Sequence, residues 1–265
     1  MISRREVLAG ACCALAGPAF ARPAQLPYLC ATPDVSGHER GGIVKFKGRS
    51  FPLVGATLDP SQLWRKEDGA TPNTGLITLN VCFLNGSSAD HDLVKCIAPQ
   101  WTHGRLGRRV AFKFGARASA SHIRIRFRGG GASVSDVGRD ALKKSIHERT
   151  MNLSVVDRRD ILHEFGHALG LKHEHQHPAS GIRWNKPVVL RDLAQRAHWT
   201  KAMVEENIFK HFAKNCVCIG DPKPDPYSIM LYPIDQSWTL DGRGTHYNTE
   251  LSQRDVACLE REYRA

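Results

Sequence analysis

The chain has 265 residues, 42% of them hydrophobic, and a formal net charge of +11. That is enough apolar material for one sizeable core, which excludes a wholly disordered or fibrous chain; no repeat or low-complexity tract suggests a solenoid, and beyond the N-terminal segment no run is long and apolar enough to span a bilayer. The positive charge favours anionic partners, envelope polymers or acidic substrates, but no aromatic–basic platform or nucleic-acid motif accompanies it, so a nucleic-acid role is set aside.

Met1 to Ala21 read as an export signal rather than as fold. Ser3-Arg4-Arg5-Glu6-Val7-Leu8 matches the twin-arginine pattern, the apolar run Val7–Phe20 follows, and Ala19-Phe20-Ala21 offers a small-x-small cleavage site. The expected location is therefore the periplasm or the medium. Removal of this segment leaves Cys30, Cys82, Cys96, Cys216, Cys218 and Cys258, an even set that favours disulfides in an exported chain. Cys216 and Cys218 are too close to bond each other comfortably, so each expects a distant partner. Residues 22–74 read as an N-terminal extension or pro-segment. They are rich in Pro, Gly and polar residues, with short apolar pieces at Ile43–Phe46 and Phe51–Val54 and little sign of a core.

From residue 75 the pattern sharpens. Ile77–Leu84 is a β-branched and aromatic strand. Ser88-Ala89-Asp90 can cap a helix with Leu93, Ile97 and Trp101 on one face, weakened near its end by Pro99. Val110–Phe114 and His122–Phe127 are further strands. In the second, apolar and basic residues alternate, so one face is expected buried and the other wet and basic. Gly129-Gly130-Gly131 breaks the chain before a short strand at Ala132–Val137. Met151–Val155 is the last strand, central in the sheet, and Asp157 can cap the helix that follows.

That helix carries His163-Glu164-x-x-His167. At the α-helical period His163 and His167 stack on one face, where two imidazoles can share a zinc ion. Glu164 lies one position round, placed to hold a water on the metal without occupying it. Gly170 can adopt positive φ, end the helix and return His173 to the same ion. Three neutral imidazoles leave a position open for water, the catalytic pattern of zinc. His175 and His177 follow in a loop and are read as loop residues, since three ligands complete such a site. Further on, Thr200–Phe212 shows helical spacing with Val204, Ile208, Phe209 and Phe212 on one face. Leu251–Tyr263 reads as a closing helix with Ser252 as its cap.

The string H-E-x-x-H-x-x-G-x-x-H at 163–173 resembles the signature of the metzincin zinc peptidases. Glu174 after the third histidine resembles the astacin branch and its bacterial secreted relatives, although Leu171 stands where astacins usually have Phe. Ser228-Ile229-Met230-Leu231-Tyr232 is similar to the astacin methionine turn. The resemblance implies an α+β fold: a zinc peptidase domain at 75–265 with a mixed, twisted sheet, an active-site helix and a mostly irregular C-terminal half ending in a helix. It implies one zinc ion on His163, His167 and His173, with Glu164 as general base and Tyr232 as hydrogen-bond donor to the oxyanion. Met230 would pack beneath the imidazoles. Ala132–Val137 would be the edge strand that pairs with an extended protein or peptide substrate. It further suggests a Cys96–Cys258 disulfide, and that Glu174 can pair with a new N-terminus after activation. Cys30-Ala31-Thr32-Pro33-Asp34 echoes the cysteine-switch segment of matrix metalloproteinases without its flanking Arg and Gly; the other reading of Cys30 is a disulfide cysteine. The expected function is a secreted, monomeric zinc metalloendopeptidase with a zinc-activated water. The alternative is a non-catalytic, zinc-stabilised binding protein of the cell envelope.

Overall fold

A computed structural model describes residues 45–46, 49–50, 53–69, 74–130, 132–213, 217–219 and 223–263. The expected signal segment, Cys30 and Cys216 lie outside the described residues. The architecture is α+β, as expected. A strand pair, β1 (Leu53–Thr57) with β7 (Val217–Ile219), stands beside a five-stranded sheet. The sheet comprises β2 (Ile77–Phe83), β3 (Val110–Phe114), β4 (Ile123–Phe127), β5 (Val134–Ser135) and β6 (Met151–Leu153). Its order is β3-β2-β4-β6-β5. All pairs are parallel except β5 with β6, so the antiparallel strand forms one edge. Ile77, Leu79 and Val81 alternate along β2 and pair with Val110, Phe112, Phe114 and Ile123, which gives one face a continuous apolar surface.

Helix α1 (Ser88–Ile97) starts at a capping box between Ser87 and Asp90 and then tightens into a 3-10 turn, Ala98–Thr102, at Pro99. Its buried stripe is Asp90, Val94, Ile97 and Trp101, while Leu93 is 38% exposed. The expected stripe through Leu93 is thus shifted by one residue, because Asp90 is drawn inward by its cap and by an ion pair with Arg128 at 2.7 Å. The expected wet, basic face of β4 is half right. Arg126 is exposed, but Arg124 is buried. The segment between β5 and β6 folds over this face, and the Arg124 guanidinium donates to the carbonyls of Ser121 at 2.9 Å and Glu148 at 2.7 Å. Those bonds offset the cost of burying the charge.

Helix α2 (Arg158–Ala168) packs against the sheet and contributes Ile161, Leu162, Phe165 and Ala168 to the main core. A second core lies beyond it, built from helix α3 (Lys186–Ala197), helix α4 (Lys201–Val204) and Trp199, Ile208, Phe209, Tyr232 and Trp238. Helix α3 was not expected from the sequence. The expected helix at Thr200–Phe212 begins at its Thr200 cap but opens into a π turn at Glu205–Phe209 and stops at Lys210 in extended backbone. Gln176 explains the stop. Its amide donates to the carbonyls of Glu206 and Lys210, which a continuing helix would bond itself, and its own carbonyl takes the Phe212 N–H.

Residues 53–64, expected to belong to an extension with little core, pack into the main core instead: Leu58, Leu63 and Trp64 are buried in it. Helix α5 (Gln253–Glu262), capped by Ser252 with Asp255, packs on the β1–β7 pair. There Cys258 forms a disulfide with Cys218 across a Cα separation of 5.6 Å. This corrects the expected Cys96–Cys258 pairing: α5 sits on β7, which presents Cys218, whereas Cys96 belongs to α1. Among the described residues no helix is long and apolar enough to cross a membrane.

Candidate metal centre

Helix α2 is fixed at both ends. Asp157 accepts the Asp160 N–H at 2.9 Å as its cap. At the other end Trp64 Nε1 donates to the Ala168 carbonyl at 2.7 Å and the Tyr263 hydroxyl to the Leu169 carbonyl at 2.9 Å. These bonds satisfy carbonyls that a helix end leaves without intrahelical partners. The chain then turns at Gly170, whose φ is +105°, and the Gly170 and Leu171 amides fold back onto His167 and Gly166 carbonyls. A Cβ at Gly170 would stand 2.8 Å from Leu63 Cδ2, so both the dihedral and the space call for glycine.

This turn brings His163, His167 and His173 together. His167 Nε2 is 3.1 Å from His163 Nε2 and 3.1 Å from His173 Nε2. Two nitrogens bound to one tetrahedral zinc at their usual distance would be about 3.3 Å apart. All three rings are fully buried, and burial holds each imidazole in its neutral, metal-binding form: His167 is pushed down to about 4, and His163 and His173 well below the usual histidine range. Two of the rings are aimed from behind. His163 Nδ1 donates to the Ile229 carbonyl and His167 Nδ1 to the Leu171 carbonyl, each at 2.8 Å, which turns their Nε2 lone pairs toward the common centre. Among the described residues this is the one group of three such side chains that could hold a metal ion. The donor set and spacing fit zinc.

Glu164 is fully buried on α2, three residues before His167 and so on a neighbouring face of the helix. Met230 lies beneath the helix, close enough that a Cβ at Gly166 would meet its sulfur at 2.5 Å. The Tyr232 ring is 4.4 Å from His173 and 6.2 Å from His163 between centroids. His175 and His177 are buried but remain outside the metal-competent group. His175 Nε2 pairs with the Asn207 carbonyl at 2.9 Å, and His177 Nδ1 accepts the Ala179 N–H at 3.0 Å. In this intact chain Glu174 accepts two backbone N–H groups, from Asp225 at 2.7 Å and Thr57 at 3.3 Å. Burial pushes its carboxyl up to about 8.

Sequence reasoning missed the residues behind this arrangement. Asp255 accepts the Ser228 hydroxyl at 2.6 Å and the Ile229 N–H at 2.9 Å, and so fixes the methionine turn. Arg159 donates to the carbonyls of Asn248 and Leu231 at 2.6 and 3.0 Å. Asp255 had a local signal as the third residue of the Ser252 capping box; Arg159 had none.

A mixed sheet over a helix bearing two of three convergent imidazoles, a glycine turn supplying the third, and a methionine turn below are the arrangement that the resemblance to the metzincin zinc peptidases implies. Neither a protein-family model nor a curated protein matches the chain. Solved structures do. One structure of myroilysin matches with a TM-score of 0.67 and 29% identity, covering 80% of this chain and 99% of that one. A second matches with a TM-score of 0.52 and 27% identity, over 84% of this chain and 94% of that one. The hatching enzyme zinc-protease HCE-1 of the medaka fish Oryzias latipes shares the fold at 18% identity and a TM-score of 0.51, over 78% of this chain and 96% of its own. The chain thus shares its fold with the structures of myroilysin and of a hatching-enzyme zinc-protease, and its three-histidine cluster fits one zinc ion.

Proposed function

We propose that the chain is a secreted zinc metalloendopeptidase with His163, His167 and His173 as the zinc ligands, Glu164 as general base and Tyr232 as oxyanion donor. The observation that carries this reading is the convergence of three neutral, buried Nε2 atoms with Tyr232 packed against His173. Zinc held there would polarise the scissile carbonyl and lower the pKa of an attacking water. Glu164 takes the proton from that water and delivers it to the leaving amine. Tyr232 donates its hydroxyl proton in a hydrogen bond to the developing oxyanion. No acyl-enzyme is required, so no serine or cysteine nucleophile enters the scheme.

An extended peptide pairs with the free edge of β5, with pockets along the cleft refining the choice of side chains. One chain supplies every ligand and the base, so a monomer suffices. The disulfide between Cys218 and Cys258 supports export through the segment 1–21 to the periplasm or the medium. The peptidase domain at 75–265 is preceded by the extension 22–74, whose last part, from Leu53, is built into the same core. The net charge of +11 supports attraction to anionic envelope polymers.

The test is Glu164→Gln assayed on a broad peptide library with and without a chelator. The variant should keep one zinc ion and lose turnover by roughly 10²–10⁴-fold. Full activity in the variant would remove Glu164 from the scheme. A zinc-loaded parent that cleaves nothing in the library would favour the non-catalytic envelope-binding alternative.

A further inference from the structure

We infer that Asp255 tunes and positions the zinc ligand His163 through an unbroken chain of hydrogen bonds that passes along the Ser228 hydroxyl and the Ile229–Met230 peptide group. The inference rests on the assignment of His163 as a ligand and adds a residue 92 positions away in sequence that touches neither metal nor substrate.

Every link runs in one direction. His163 Nδ1 donates to the Ile229 carbonyl at 2.8 Å. The N–H of that same peptide unit, Met230 N, donates to Ser228 Oγ at 3.0 Å. The Ser228 hydroxyl donates to Asp255 Oδ1 at 2.6 Å. Each group thus gives a proton toward the carboxylate, and each bond polarises the next. A negative charge on Asp255 makes Ser228 Oγ a better acceptor. That draws on the Met230 N–H and leaves the Ile229 oxygen more negative. The more negative oxygen pulls harder on the His163 Nδ1 proton, which pushes electron density into the ring and makes Nε2 a stronger donor to metal. Histidine ligands are commonly paired with a carboxylate directly; here a hydroxyl and one peptide group are interposed.

The second Asp255 oxygen prevents the turn from drifting. Oδ2 accepts the N–H groups of Ile229 at 2.9 Å and Ser252 at 3.0 Å, which ties the methionine turn to the start of α5. Asp255, Ser228, Ile229 and His163 are all fully buried, so water does not compete for any link. Arg159 Nη1 also reaches the Ile229 oxygen, at the longer distance of 3.4 Å. One turn further along α5, Cys258 anchors the helix independently through its disulfide to Cys218. The disulfide thus holds the helix without passing through Ser228 or the methionine turn.

The experiment measures zinc affinity by competition with a chromophoric chelator, alongside zinc stoichiometry and the thermal midpoint of the zinc-free chain. Ser228→Ala cuts the chain but leaves Oδ2 on Ile229; it should weaken zinc by roughly 10–100-fold, and Asp255→Asn should do the same. Ser228→Thr keeps the hydroxyl and should restore most of the affinity. Cys258→Ser removes the other anchor; it should lower the thermal midpoint and leave zinc affinity near that of the parent. Cobalt(II) in the Ser228→Ala variant should show a shifted visible absorption band. Parent-like zinc affinity in both Ser228→Ala and Asp255→Asn would overturn the inference. So would Cys258→Ser weakening zinc as much as Ser228→Ala for the same loss of thermal midpoint. A parent chain that holds no stoichiometric zinc would instead overturn the proposed function.

Discussion

Replacing Gly170 with alanine perturbs the point where helix α2 gives way to the third histidine. The native φ of +105° lies outside the range that a residue with a Cβ adopts at ease, a strain of about 1–3 kcal/mol. The new Cβ would also stand 2.8 Å from Leu63 Cδ2, and moving Leu63 within a packed core costs about 1–3 kcal/mol more. The lower entropy of the unfolded alanine chain returns about 0.4–1 kcal/mol. The balance is a destabilisation of about 1–6 kcal/mol, centred near 3. The structure adds a functional consequence: relief of the strain displaces His173 from its place 3.1 Å from His167 Nε2. Urea unfolding of the zinc-free variant measures the first effect and chelator competition the second. Stability within about 0.5 kcal/mol of the parent, the scatter of an ordinary surface change, would refute the strain argument. A destabilised variant with unchanged zinc affinity would refute the claim that this turn aims His173.

Tyr232→Phe should lower kcat on peptide substrates by roughly 10²-fold with zinc retained, and a rise in KM alone would contradict the oxyanion role. His175, which is not a ligand, is pushed down to about 4 by burial from an unfolded value of 6.5. Its stabilising contribution is therefore complete above 6.5 and is lost as pH falls through 4, a swing of about 3 kcal/mol. The stability difference between the parent and His175→Phe should shrink across that window in urea unfolding; taking the difference cancels Glu174, Asp136 and Asp255, whose raised pKa values act in the opposite sense. A flat difference would refute burial as the cause. Because the Cys218–Cys258 disulfide closes a loop with a sequence separation of 40, Cys258→Ser should cost about 2–4 kcal/mol in thermal unfolding, and no loss would mean that α5 is held by packing alone.

The metal-binding segment was legible because its geometry is local. His163 and His167 share a face by helical period, and Gly170 and His173 follow within one turn of chain, so no distant contact is needed to bring the Nε2 atoms together. The strands Ile77–Phe83 and Val110–Phe114 were legible for the same reason, through period-two alternation between breakers. Long-range competition defeated the local reading elsewhere. Thr200–Phe212 has helical spacing, yet Gln176 takes the carbonyls the helix would need. Arg124 sits at a position that alternation marks as wet, yet a later loop covers it and supplies the Glu148 carbonyl as acceptor. The partner of Cys258 depends on which strand α5 packs against, and resemblance alone pointed to the wrong one.

The amino-acid sequence by itself pointed to the three histidines that converge, to the glutamate beside them and to the proposed class of chemistry, because those residues lie within a dozen positions and the first of them obey the period of one helix. Only the tertiary structure decided what makes the set work. The Ile229 carbonyl that orients His163, the Asp255 carboxylate that holds the methionine turn, and the Trp64 and Tyr263 side chains on the carbonyls of α2 come from chain segments far apart in sequence. A hydrogen bond depends on distance and direction in space, and no spacing along the chain encodes either for residues so widely separated.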